Sequence, residues 1–264
     1  MPADTVSVAA DGKGLIYVLR RSQPPVLVYN REGKLVDSWG TGLFVDDHNI
    51  DVDRNGFIWI GDRNGQIEYK FTKEGKQVMS IGTKGVKGDD ASQSAFNRPS
   101  DTFVAPNGDV FVADGYDNHR IVQFSKDGKF IKIIGGVPGT GPGQLQGLHG
   151  VLMDSRGRLI VLDRRDSNPR LSVWDPQSGK LIEEWGPLGL NTGSGFTMDN
   201  NDTFYVSDTN GHQMITVKDG KIIDRITGIE VQGHQASWDS GDGFIYIADT
   251  GVAGGMIWKL KIQK

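Results

Sequence analysis

The chain has 264 residues, no cysteine, and 29 basic against 33 acidic side chains for a net charge of −4. That length admits one large domain or two small ones, and the missing thiols exclude disulfides and cysteine chemistry. No block of Lys and Arg offers a nucleic-acid surface, and no apolar run approaches the ~20 residues that insert in a bilayer.

Six short segments resemble one another along the chain: GLIYVL, GFIWIGD, GDVFVAD, GRLIVLD, DTFYVSD and GFIYIAD, closing at Leu19, Asp62, Asp114, Asp163, Asp208 and Asp249. Each is rich in β-branched and aromatic residues and follows a turn, the pattern of a strand. The third unit divides into four such runs: SDTFVA, DVFVAD, IVQFS and KFIKIIG. The turns REGK, KEGK, KDGK, QSGK and KDGK recur before the last run of a unit, with Gly supplying the φ > 0 of a tight hairpin. Four antiparallel strands every ~45 residues form the blade of a β-propeller, which closes radially and leaves few open edges. The expected fold is therefore all-β: residues 1–264 form a single six-bladed propeller domain with almost no helix. The last unit supplies three strands, so either that blade has three or a segment preceding Val6 completes it.

In this layout the b–c loops, the long d-to-a connectors (Thr83 to Asn97, Gly135 to Gly147, Gly186 to Gly193) and the starts of the a strands share one face. Function concentrates on such loops over a rigid scaffold. Counting back fourteen residues from the closing Asp reaches His48, Ser100, His149 and Ser194, and fifteen from Asp249 reaches His234; the first-blade counterpart is read as Thr5. Three histidines on alternate blades of a six-fold ring can converge on one axial point with an open side, the arrangement of a catalytic zinc site. Imidazole ligands also suit iron, manganese or cobalt. His119 and His212 lie within b–c loops and are read as structural or solvated. Arg20, Arg21, Arg63, Arg164, Arg165 and Tyr116 lie on b–c loops of the histidine face, where a guanidinium can grip a carboxylate and a Tyr hydroxyl can act as base. Arg120 and Arg170 are expected to tie to the repeat residues Asp114 and Asp163.

The stretch FNRPSDTFVAPNGDVFVADGYDNHRIVQFSKDGKFIKIIG resembles an NHL repeat. With GLFVDDHNIDVDRNGFIWIGD, LHGVLMDSRGRLIVLDRRD and GHQASWDSGDGFIYIAD, the chain resembles the peptidyl-α-hydroxyglycine α-amidating lyase family over nearly all its residues. The resemblance implies zinc on His48, His149 and His234, Tyr116 as catalytic base, and substrate-positioning arginines at Arg164 and Arg21, with Arg20 the alternative. The family's Pro-His pairs are replaced by Asp47, Leu148 and Gly233 before the histidines, and Gln235 stands where the family has an acidic ligand, so its structural Ca2+ does not carry over. The expected activity is a metal-dependent lyase acting on an α-hydroxy amide or similar small-molecule or peptide-like substrate. The same ligands serve a metal-dependent hydrolase or hydratase, and NHL propellers also serve as interaction scaffolds. A monomer is expected. Charged Asp4, Asp11, Lys13, Arg20 and Arg21 do not form a secretory leader, and the compartment stays open: cytoplasmic, or periplasmic or secreted with a leader removed.

Overall fold

The computed structural model describes residues 4–164, 169–229, 231–251 and 255–262. They form six antiparallel sheets in chain order. The first holds β1 (Thr5–Ala10), β2 (Leu15–Arg20), β3 (Val26–Asn30) and β4 (Leu35–Trp39); the second β5 (Asp47–Val52), β6 (Ile58–Asp62), β7 (Ile67–Phe71) and β8 (Gln77–Gly82). The third holds β9 (Asp101–Val104), β10 (Val110–Asp114), β11 (Arg120–Phe124) and β12 (Phe130–Gly135); the fourth β13 (Leu148–Met153), β14 (Leu159–Asp163), β15 (Arg170–Asp175) and β16 (Lys180–Trp185). The fifth holds β17 (Gly193–Met198), β18 (Phe204–Asp208), β19 (Gln213–Lys218) and β20 (Lys221–Thr227), and the sixth has three strands, β21 (Gly233–Asp239), β22 (Phe244–Asp249) and β23 (Met256–Lys261). This is the six-bladed propeller expected, with the short last blade and no helix among the described residues.

Burial peaks at the second strand of a blade and falls toward the rim for a simple reason. The second strand of each blade is covered on both faces by neighbouring blades, so β6, β10, β14 and β18 are buried at every position and read as continuous apolar runs. The fourth strand lies on the rim, and β20 is exposed along its whole length. Six apolar clusters fill the six seams between blades. One joins Val6, Leu19 and Val26 of blade one to Ile50, Ile58 and Ile60 of blade two, and another closes the ring by joining Val8 and Val18 to Tyr246 and Ala248. Each fully buried aliphatic contributes roughly 1.5–3 kcal/mol. The glycines of the third-to-fourth-strand turns carry the required positive φ, for example +79° at Gly33 and +76° at Gly128.

Candidate active site

The repeat aspartates explain why the count of fourteen works. Asp62 ends β6 and accepts the amides of Val45 and Asp46 at 2.8 and 2.9 Å. Asp163 accepts those of Gln146 and Gly147 at 3.2 and 2.9 Å, and Asp208 those of Asn191 and Thr192 at 2.7 Å each. In blades two, four and five the carboxylate that ends the second strand thus captures two orphan amides of the incoming connector, while Asp114 and Asp249 take one each, from Asn97 and Gln232, and these bonds fix where the inner strand begins. The next residues then fall at the mouth of the channel.

A second device re-aims the side chains. Asp47 pairs with Asp62 and Asn49 with Gly61, so His48 is an extra residue in the ladder; His149, between Leu148 and Gly150, and His234, between Gly233 and Gln235, sit at the same register shift. A β-bulge bends the strand and redirects its side chain. In blade one the shift lies between Thr5 and Ser7, and Arg20 pairs with Thr5 as Asp62 pairs with Asp47. The first-blade member of the ring is therefore Val6, not Thr5, because the closing residue of β2 is Arg20 rather than Leu19.

The three rings converge. Their centroids are 4.8, 4.9 and 5.3 Å apart, and one ligand nitrogen from each lies within 4.8 Å of the others. Each Nδ1 faces a main-chain carbonyl of the next blade: His48 to Ser100 at 2.8 Å, His149 to Ser194 at 3.1 Å, His234 to Val6 at 2.7 Å. A carbonyl can only accept, so Nδ1 carries the proton and Nε2 is the acceptor, the tautomer a metal ligand requires. The alternate blades thus contribute carbonyls that orient the rings.

The electrostatics favour neutral imidazoles. Burial, then the His234 and Arg63 charges, holds His48 well below the usual histidine range; burial, then Arg164, His234 and His48, does the same for His149. Burial brings His234 down to about 4, opposed by its bond to the Val6 carbonyl. Three neutral nitrogen donors in this cluster fit a divalent transition metal.

Tyr116 stands over the cluster. Its hydroxyl lies 2.9 Å from His48 Nε2 and 3.2 Å from His149 Nε2, with the Arg164 guanidinium 3.5 Å away. Arg63 and Arg98 both lie 5.0 Å from the Tyr116 ring centroid, within cation–π range. Tyr116, Arg164 and His149 line a cleft of about 240 Å³ with Gly115, Gln146 and Leu148. Arg21 reaches the same face, held to Asp46 at 3.1 Å, and Asp46 also takes Arg63 at 2.7 Å.

Arg20 turns away and caps its own loop through the carbonyls of Pro24 and Gln23. His119 binds Asp90 at 3.0 Å, a structural role, and His212 occupies a loop position with φ +48°. Arg120 and Arg170 pair with Asp114 and Asp163 at 2.9 and 3.2 Å, as expected. Arg165 lies outside the described residues. Sequence reasoning passed over Asp46 and Arg98. Both stand two residues before a ring position, on the segment that the repeat aspartate captures, which is the signal that marks them.

Fold and site together define a class: six-bladed β-propellers with three histidines converging at the hub of one face. Residues 96–124 match the model of the NHL repeat. The chain is 30% identical over 199 residues to human NHL repeat-containing protein 3, covering 69% of this chain and 54% of that protein. It is 41% identical over 107 residues to the Caenorhabditis elegans protein named probable peptidyl-alpha-hydroxyglycine alpha-amidating lyase, covering 40% of this chain and 30% of that protein. The chain thus spans about half the length of the human relative it matches. A gluconolactonase from Xanthomonas campestris superposes with a TM-score of 0.73 at 15% identity, over 98% of this chain and 87% of that one, a likeness of fold.

Proposed function

We propose that this chain is a metal-dependent lyase that cleaves an α-hydroxy amide, or a similar small peptide-like substrate, into an amide and an aldehyde or glyoxylate. The observation that carries the reading is the Tyr116 hydroxyl within hydrogen-bonding distance of both His48 and His149 and beside Arg164. Relatives named as α-hydroxyglycine amidating lyases support the substrate class.

His48, His149 and His234 would hold the ion, zinc by preference, with iron, manganese or cobalt served by the same donors. When bound, such an ion supplies Lewis-acid polarisation of a substrate oxygen. Tyr116 takes the proton of the substrate hydroxyl, the oxygen lone pair forms the carbonyl, and the carbon–nitrogen bond breaks. The proton passes to the departing nitrogen, which leaves as the amide. Arg164 and Arg21 hold the substrate carboxylate or carbonyl and offset charge that develops on it.

The test is His149→Ala, assayed for bound metal by elemental analysis and for amide release from a peptidyl-α-hydroxyglycine. Loss of both is expected; full metal content with full turnover would overturn the proposal.

A further inference from the structure

The seam between blades two and three is built unlike the other five. In every blade the third-strand residue that pairs with the penultimate residue of the second strand faces the following blade. That position is Val26, Ile121, Leu171, Met214 and Ile257 in the other blades, and Glu68 in blade two. The receiving position on the next inner strand is Val8, Ile50, Val151, Phe196 and Ala236 elsewhere, and Thr102 here. The apolar cluster of this seam, which includes Trp59, Phe96, Val112 and Val122, correspondingly has no member at either position.

The polar replacements are buried and unmatched. Glu68 is 0% exposed, Asn49 1% and Thr102 2%. Both carboxylate oxygens of Glu68, both amide atoms of Asn49 and the Thr102 hydroxyl lack a hydrogen-bond partner. Gly61 makes the space between them: a Cβ there would lie 2.0 Å from Asn49 Oδ1 and 2.7 Å from Glu68 Oε1. Two oxygens from different strands therefore point into one small volume that any side chain at position 61 would fill. Burial, reinforced by the Asp101, Asp62 and Asp114 charges and opposed by the Thr102 hydroxyl, which lies nearby but outside hydrogen-bond geometry, pushes the Glu68 carboxyl up to about 8. Such a group either stays protonated or, if ionised, needs a cation beside it, since no donor reaches its oxygens.

We propose that Glu68, Asn49 Oδ1 and Thr102 Oγ1 bind a hard, oxygen-seeking cation in the seam between blades two and three. The donor set is all oxygen, which selects alkali or alkaline-earth ions rather than the imidazole-preferring metals of the histidine cluster. Its donors are none of the three histidines nor Gln235, and it does not depend on the lyase reading. Its role is to cross-link β5 and β7 to β9 at the same seam that His48 spans through the Ser100 carbonyl.

The experiment measures Tm of the intact protein in tetramethylammonium chloride, then with Na+, K+, Mg2+ or Ca2+ substituted at constant ionic strength. At least one ion should raise Tm saturably, by roughly 3–8 °C. The response should vanish in Glu68→Gln and in Thr102→Val, which restores the apolar character of the other seams, and persist in His149→Ala. If Tm is the same in all four ions, or Glu68→Gln and Thr102→Val respond like the wild type, the proposal fails. It fails equally if Glu68→Gln is more stable than the wild type in every salt, the behaviour of a buried protonated acid.

Discussion

His48 donates from Nδ1 to the carbonyl oxygen of Ser100, 2.8 Å away across the seam between blades two and three. The bond leaves Nε2 as the acceptor pointed at Tyr116 and the other two histidines. It also assigns Ser100 a role unlike the one its side chain implies. The Ser100 hydroxyl lies 3.0 and 2.8 Å from the Ala113 and Leu148 carbonyls, which share its one proton, while its main chain orients the histidine. Ser100→Ala is therefore expected to lower stability by about 1 kcal/mol and to leave bound metal at wild-type content. Denaturant melts and elemental analysis of the same preparations check both halves.

Tyr116→Phe removes a hydroxyl and little volume, and the three imidazoles keep their carbonyl bonds. Turnover should fall by about 10²–10⁴-fold, the usual worth of a positioned general base, with metal content unchanged. Equal turnover in the variant would show that the proton goes elsewhere.

Arg120 is fully buried against Asp114, 2.9 Å away, and also donates to the carbonyls of Ser92 and Ala95 in the connector before β9. Removing one partner of such a pair leaves an uncompensated charge and costs about 3–5 kcal/mol. Arg120→Ala should therefore lower the midpoint of chemical unfolding. Proteolytic cutting within residues 83–97 should rise in parallel, because that connector loses its anchor.

Asp101 gives a pH dependence of definite sign. Burial, reinforced by the Asp51 charge and opposed by the amide of Val151, pushes its carboxyl up from 3.8 to about 8. Between those values the folded chain holds a proton that the unfolded chain has released, so stability falls as pH rises through this window and levels off above about 8. Asp101→Asn keeps an oxygen to accept the Val151 amide, which lies 2.9 Å from Oδ2, and has no charge to lose. Unfolding free energies from pH 4 to 9 should show a shallower decline in the variant than in the wild type.

The chain by itself determined the blade count, the short sixth blade and the ring of histidines. These follow from local hairpins: a repeat aspartate, a glycine turn and a β-branched run lie within one unit, and the spacing between them is fixed by pairing inside that unit. What crosses from blade to blade was decided by the closed ring. Val6 rather than Thr5 occupies the first ring position, because a bulge is a property of pairing that residue counting does not reveal. Arg98, Asp46 and Arg63 reach the site from three loops, brought together as the blades pack side by side. Glu68 reads in sequence as an ordinary charge in a strand; only the neighbouring blade, by covering it, turns it into a buried carboxylate that needs a partner.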